Sequence, residues 1–338
     1  MLAVRRIFRP LPNRSKGAGQ LMIATVLIIL AAGCASALMF APILSGALMA
    51  VVLFHLSPLP LMVVGLGWGP LGAAIGGIAA GLALGLIFGL PKCIAFVLAS
   101  ALPAWWLGHL VMLGRPRAAE PAATDGHTAL EWYPIGRILL WIVALAIIAT
   151  IATLLAMGSD GAEIQQAMRS AWLQFLQSAD ITATDQRLNA LVVIAPTAAT
   201  IASVMKLTLN LWLAARIAAT SGQLHRPWPD LKATALPAMT LAGLCVAIAF
   251  CFSGGLIAIV AQTVTAALIL VYALTGFAVL HTLTLALKNR ALWLGCAYAI
   301  VVISAWAVLL IALLGIADAI FKLRQRYLQG RPPPLPAS

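Results

Sequence analysis

Apolar residues run along this chain in long blocks separated by short polar intervals, with no sustained strand-like alternation. Blocks of about 20 residues are what the roughly 30 Å hydrocarbon core of a bilayer asks of a spanning helix. Read in order, they predict spans over 21–39, 43–66, 71–90, 92–113, 134–157, 189–220, 235–252 and 256–287. A further apolar stretch covers 291–316, as a ninth span or as a broken or re-entrant pair. The pattern predicts an all-α, polytopic transmembrane helix bundle of about eight or nine spans. Pro58 and Pro60 remove backbone donors and bend the second span, and Pro196 kinks the sixth. Gly72, Gly76, Gly77, Gly81 and Gly85 in the third suit close helix packing in lipid.

The polar intervals set the domain organisation. Residues 1–20 form a basic tail, 21–321 a single transmembrane domain, and 322–338 a second basic tail ending in the polyproline-type segment Pro332-Pro333-Pro334. Within the domain, residues 158–188 hold Asp160, Glu163, Asp180 and Asp185 against Arg169 and Arg187. Ile164, Met168, Trp172, Phe175 and Leu176 fall near one helical face there, which predicts an amphipathic helix on the outer interface. Leu30-Ala31-Ala32-Gly33-Cys34 looks like a lipoprotein cleavage box. The apolar sequence continues through it, so an uncleaved first helix is expected.

Composition sharpens this picture. Of 338 residues 63% are apolar and 9% charged, and the mean hydropathy is +1.03, which excludes a soluble domain of this length. The net charge of +12 does not point to nucleic acid. Lys and Arg cluster in the first tail (Arg5, Arg6, Arg9, Arg14, Lys16), between Arg115 and Arg137, between Arg216 and Lys232, and at Lys288 and Arg290. That alternation is the positive-inside pattern and predicts a cytoplasmic N-terminus. A full ninth span would break it, carrying Lys322, Arg324, Arg326 and Arg331 to the other side. The five cysteines all lie in apolar segments without CxxC spacing and read as packing residues.

Candidate chemistry is sparse. Lys206 is the one charge deep within an apolar block, and an intramembrane cation usually faces a cavity, a partner or a ligand. Thr200, Ser203, Lys206 and Asn210 share an arc of about 120° on a helix. This polar stripe is a candidate substrate-binding surface, with Lys206 meeting an anionic group; the alternatives are bonds to neighbouring helices or a lysine reaching toward the interface. His55, His109 and His281 sit near span ends and read as interfacial hydrogen-bonding groups rather than metal ligands. Gln262, Thr263 and Thr265 form a second polar patch. The nine acidic residues fall in loops or at the ends of apolar stretches, which argues against a self-powered, carboxylate-relay transporter. P-loop, GxSxG and HExxH motifs are missing, so no catalytic residue, metal or cofactor is assigned.

Three stretches resemble the YybS-like family of bacterial membrane proteins. They are Ser57-Pro58-Leu59-Pro60-Leu61 leading into Gly65-Leu66-Gly67-Trp68-Gly69-Pro70; Leu209-Asn210-Leu211-Trp212-Leu213-Ala214-Ala215-Arg216 with Ser221-Gly222; and Thr275-Gly276-Phe277-Ala278-Val279-Leu280-His281 with Leu314-Gly315-Ile316-Ala317-Asp318 and Lys322-Leu323-Arg324. The resemblance implies a multi-pass protein of the bacterial cytoplasmic (inner) membrane. Residues 21–113, with a Pro-rich span, a glycine turn and a Gly-spaced helix, are in turn similar to substrate-binding S components of energy-coupling-factor transporters. That likeness implies a small-solute-binding or transport-associated component, powered by a separate energising module. The alternative is a non-transporting scaffold or assembly protein that binds another membrane protein. Besides such a partner, the lipid bilayer is the expected surrounding.

Overall fold

A computed structural model describes residues 14–41, 48–116, 130–178, 180–182 and 184–329. Arg5, Arg6, Arg9, Arg331 and the terminal prolines, named above, lie outside the described residues. Apart from the short strands β1 (Gly114–Pro116) and β2 (Leu130–Trp132), the regular structure is helical, which makes this an all-α polytopic bundle. The helices fall into two compact units, one of residues 1–109 and 213–224, the other of 110–212 and 225–338.

The first unit contains α1 (Arg14–Phe40), α2 (Leu48–Leu56), α3 (Leu59–Gly67), α4 (Pro70–Phe88), α5 (Leu90–Phe96) and most of α6 (Leu102–Val111). α1 runs unbroken through Cys34. α2 and α3 make one span, broken at Ser57-Pro58 where proline has no donor to offer. Hydrocarbon cannot satisfy the groups so freed. The hydroxyl of Ser36 donates instead to the Ser57 carbonyl at 2.6 Å, and Ser57 Oγ pairs with Ser100 Oγ at 2.7 Å. Ser100 lies in the π-turn Val97–Ala101 that joins α5 to α6. The tight turns into α4 and α5 place Gly69 and Gly89 at φ of 100° and 87°, a region open mainly to glycine. As the small-residue spacing predicts, Gly72, Gly76, Gly77 and Gly81 are buried. A Cβ at Gly33 of α1 would overlap the Gly76 carbonyl, so these two helices touch backbone to backbone.

The second unit contains α7 (Ile135–Met157), α8 (Gly161–Ser178), most of α9 (Asp185–Thr220), α10 (Met239–Phe250), α11 (Gly255–Leu283), α12 (Arg290–Ile303), α13 (Ala305–Phe321) and α14 (Leu323–Gln329). Its two ends are distinct. At one end the buried Arg226 donates to the carbonyls of Val111 at 3.1 Å and Tyr133 at 3.0 Å, and Gly136 abuts the Ala235 carbonyl. Taking that guanidinium out of water lowers its pKa, and the two carbonyls replace part of the lost hydration. At the other end Gly161, opening α8, packs on Gly255, opening α11. α8 has the amphipathic character its sequence predicts. It buries Ile164, Met168 and Leu176, with Ile164 and Met168 in a cluster with Leu154 and Val192, while Phe175 stays exposed.

The final apolar stretch resolves into a broken pair. Ser304, in extended conformation, separates α12 from α13, and α12 at 14 residues covers only about 21 Å. Gly276 of α11 and Gly315 of α13 face each other so closely that a Cβ on either would overlap a carbonyl of the other helix. Further along, Thr282 and Leu285 share a cleft with Lys322 and Arg324. α11 and α13 therefore run in the same direction, and α12 is the return. Arg324 donates to the Lys232 carbonyl, placing α14 at the same end as the 225–234 loop. Lys322, Arg324 and Arg326 thus join the 225–234 loop at one end of this unit, and the charge pattern holds to the end of α14. Among the described residues, seven helical segments are long and apolar enough to cross a membrane, or eight with the bent pair α13–α14, while α10 and α12 are shorter.

Two outcomes are expected. In a background without native cysteines, Cys introduced at His225 and at Gln329 reacts with a membrane-impermeant thiol reagent from the same side; opposite sides would refute the arrangement of α12 and α13. Gly276→Ala or Gly315→Ala pushes α11 and α13 apart and lowers unfolding stability by about 2–3 kcal/mol, read as a drop in thermal midpoint in detergent.

Candidate functional site

The sixth predicted span is α9, 36 residues long with Pro196 inside it. The four residues of its polar stripe have different surroundings. Thr200 is fully buried, donates to the Pro196 carbonyl at 2.9 Å and pairs with Thr150 of α7 at 2.8 Å. That hydroxyl holds α9 to α7. Asn210 is buried as well, and its amide nitrogen donates to the Lys206 carbonyl at 2.7 Å, one turn back. Ser203 is half-buried. Lys206 is 6% exposed, so its four-carbon stem does not carry the ammonium out to bulk water. It is the sole charged residue between Arg187 and Arg216.

Hydrogen bonds engage two of the three histidines, and a ring contact the third. His55 pairs with the Val51 carbonyl at 2.8 Å, His109 lies beside the Trp106 ring, and His281 pairs with the Tyr298 hydroxyl at 2.7 Å. Of the second polar patch, Thr263 donates to its own helix at the Val260 carbonyl, and Thr265 lies 3.5 Å from Cys251 Sγ. Gln262 lines a cleft of about 480 Å³ with Asp160, Gln165 and Pro196, at the end where α8 begins.

A second polar constellation escapes a reading of spacing alone. Asp318 stands near the end of an apolar stretch in sequence, yet it is buried in the structure. α13 ends at Lys322, whose left-handed backbone (φ 53°) turns the chain by 66° into α14. That turn brings Arg324 back over Asp318. The Arg324 backbone N–H donates to Asp318 Oδ1 at 2.9 Å and its Nε to Oδ2 at 2.8 Å, while Nη2 completes the ion pair at 2.7 Å. Both side chains are about nine-tenths buried, at 11% and 8% exposure. Nη1 of the same guanidinium donates to the Lys232 carbonyl. Around this clip lies a cleft of about 520 Å³ that also meets Asp230, Lys232, Lys322 and Gln325.

Fold and site together define a polytopic, all-α integral membrane protein with a buried lysine within its longest described helix and a clipped basic end. Residues 33–319 match the family described as predicted membrane protein (DUF2232), and the chain belongs to that family. No curated protein and no solved structure matches it.

Breaking the buried clip on one side leaves an uncompensated charge. Asp318→Ala is expected to cost about 3 kcal/mol or more, whereas adding Arg324→Ala to it recovers part of that loss in a double-mutant cycle of thermal unfolding. Equal, additive losses would mean that the two side chains do not interact.

Proposed function

We propose that the protein is a small-solute-binding component of the bacterial cytoplasmic membrane, with its N-terminus inside, and that Lys206 is the charged contact for an anionic group of the solute. The observation that carries this reading is the 6% exposure of Lys206 within the interior of α9. An ammonium held there is costly unless compensated, and a bound anion compensates it when present. Ser203 and Asn210 flank it on the same stripe, with one N–H of the Asn210 amide donating to the Lys206 carbonyl. Thr200 acts as the anchor that sets the position of α9. The likeness of residues 21–113 to S components suggests that a separate energising module is the partner. The absence of a P-loop from the sequence agrees with power supplied by another chain.

Purified protein screened against vitamins and nucleobases tests this by thermal shift. A ligand at a hundredfold its Kd contributes about 2.7 kcal/mol, so a true ligand raises the midpoint by several degrees. Lys206→Met, which keeps the stem and removes the charge, abolishes that rise while leaving the unliganded midpoint at or above wild type. A screen with no stabilising compound, or a rise that survives in Lys206→Met, overturns the assignment.

A further inference from the structure

The clipped end of the second unit carries a site that does not depend on Lys206. We propose that the cleft between α11, the 230–236 segment and α13–α14 binds a phosphate-bearing anion, held by Lys232 and Lys322.

Five charged side chains line the cleft: Asp230, Lys232, Asp318, Lys322 and Arg324. Asp318 and Arg324 neutralise one another through the bonds described above. Asp230 Oδ1 is engaged by the Lys232 backbone N–H at 3.0 Å, where it caps the 3-10 turn Leu231–Ala233. Two ammonium groups remain against this single carboxylate. Among the described residues, neither Lys232 nor Lys322 forms an ion pair. They stand in segments ninety positions apart (322 − 232 = 90), and the Arg324 bond to the Lys232 carbonyl is what draws those segments together. Both residues are exposed, so a ligand arriving from the aqueous side meets them first.

The rest of the lining says what sort of anion fits. Gln325 adds an amide beside the lysines, whereas Leu236, Leu285 and Leu328 make part of the cleft apolar. At about 520 Å³ the space suits a charged headgroup together with the start of its carbon chain. The cleft lies where α11 and α13 end, and basic pockets between helix ends are suited to anionic headgroups. Lysine serves phosphate as a mobile point charge, so two of them on separate segments can adjust to a tetrahedral group. The shared chemistry is the phosphate, which an anionic phospholipid or a soluble phosphate compound can present.

The test uses full-length, delipidated protein in neutral detergent. Its thermal midpoint is measured with added phosphatidylglycerol, with phosphatidylcholine, and with inorganic phosphate. Wild type is compared with Lys232→Gln, with Lys322→Asn (asparagine tolerates the left-handed backbone there), with both together, and with Arg137→Gln as a charge-loss control on an exposed residue of α7. Phosphatidylglycerol raises the wild-type midpoint by roughly 3–5 °C, phosphatidylcholine does not, and the rise is kept in Arg137→Gln and lost in the double variant. If inorganic phosphate produces the same lysine-dependent rise, the site takes soluble phosphate; if only the lipid does, it takes the headgroup. Each single variant, changed at an exposed position, keeps the unliganded midpoint and loses part of the rise. No rise with either phosphate source, or a rise of equal size in the double variant, overturns the proposal. Neither result bears on Lys206, whose ligand screen is read separately.

Discussion

Helices in lipid gain nothing by hiding apolar side chains from one another, because the surrounding tails are equally apolar. What holds them is close contact between backbones, and Gly276 against Gly315 is the contact on which most of the second unit depends. With no side chain on either residue the two helix backbones meet, and the cleft that Thr282 and Leu285 share with Lys322 and Arg324 gives α13 the same direction as α11. Two helices of one orientation need a return between them, which α12 provides despite its length. α14 then lies beside the 225–234 loop, and the Asp318–Arg324 clip closes over the junction. In the first unit Gly33 and Gly76 impose the same kind of contact between α1 and α4.

Breaks in the helices follow the same logic of obligatory satisfaction. Ser57-Pro58 interrupts a span inside the bundle, and serine hydroxyls from two other elements take up the polar groups there. Pro196 removes another helical donor from α9, and one turn on Thr200 donates to the Pro196 carbonyl while tying α9 to Thr150. Ser36, Ser57, Ser100, Thr150 and Thr200 are thus engaged in holding helices together. Lys206 differs from them by carrying a full charge, which makes it the residue of the stripe with most reason to meet a ligand.

Much of the architecture was legible along the chain because a hydrocarbon core imposes a length on every span. The blocks, the proline breaks, the small-residue face of α4 and the amphipathic α8 could be read from spacing. The polar stripe could be read too, but the division of labour within it could not. Whether Thr200 serves a ligand or a neighbouring helix depends on where Thr150 lies, fifty residues away (200 − 150 = 50). The basic cleft left almost no trace. Asp318 and Arg324 are six positions apart (324 − 318 = 6), a spacing at which helical residues do not meet, and only the left-handed turn at Lys322 folds one over the other.

By itself the sequence determined that this chain lives in a membrane, how its helices are spaced, and which loops carry the positive charge. Those properties are set residue by residue, by the transfer of side chains between water and hydrocarbon. Tertiary structure alone decided that the last apolar stretch turns back, that its tail shares an end with the 225–234 loop, and that two distant lysines line one cleft. Such outcomes depend on which backbones can touch, and contact is a property of pairs of segments that no single segment contains.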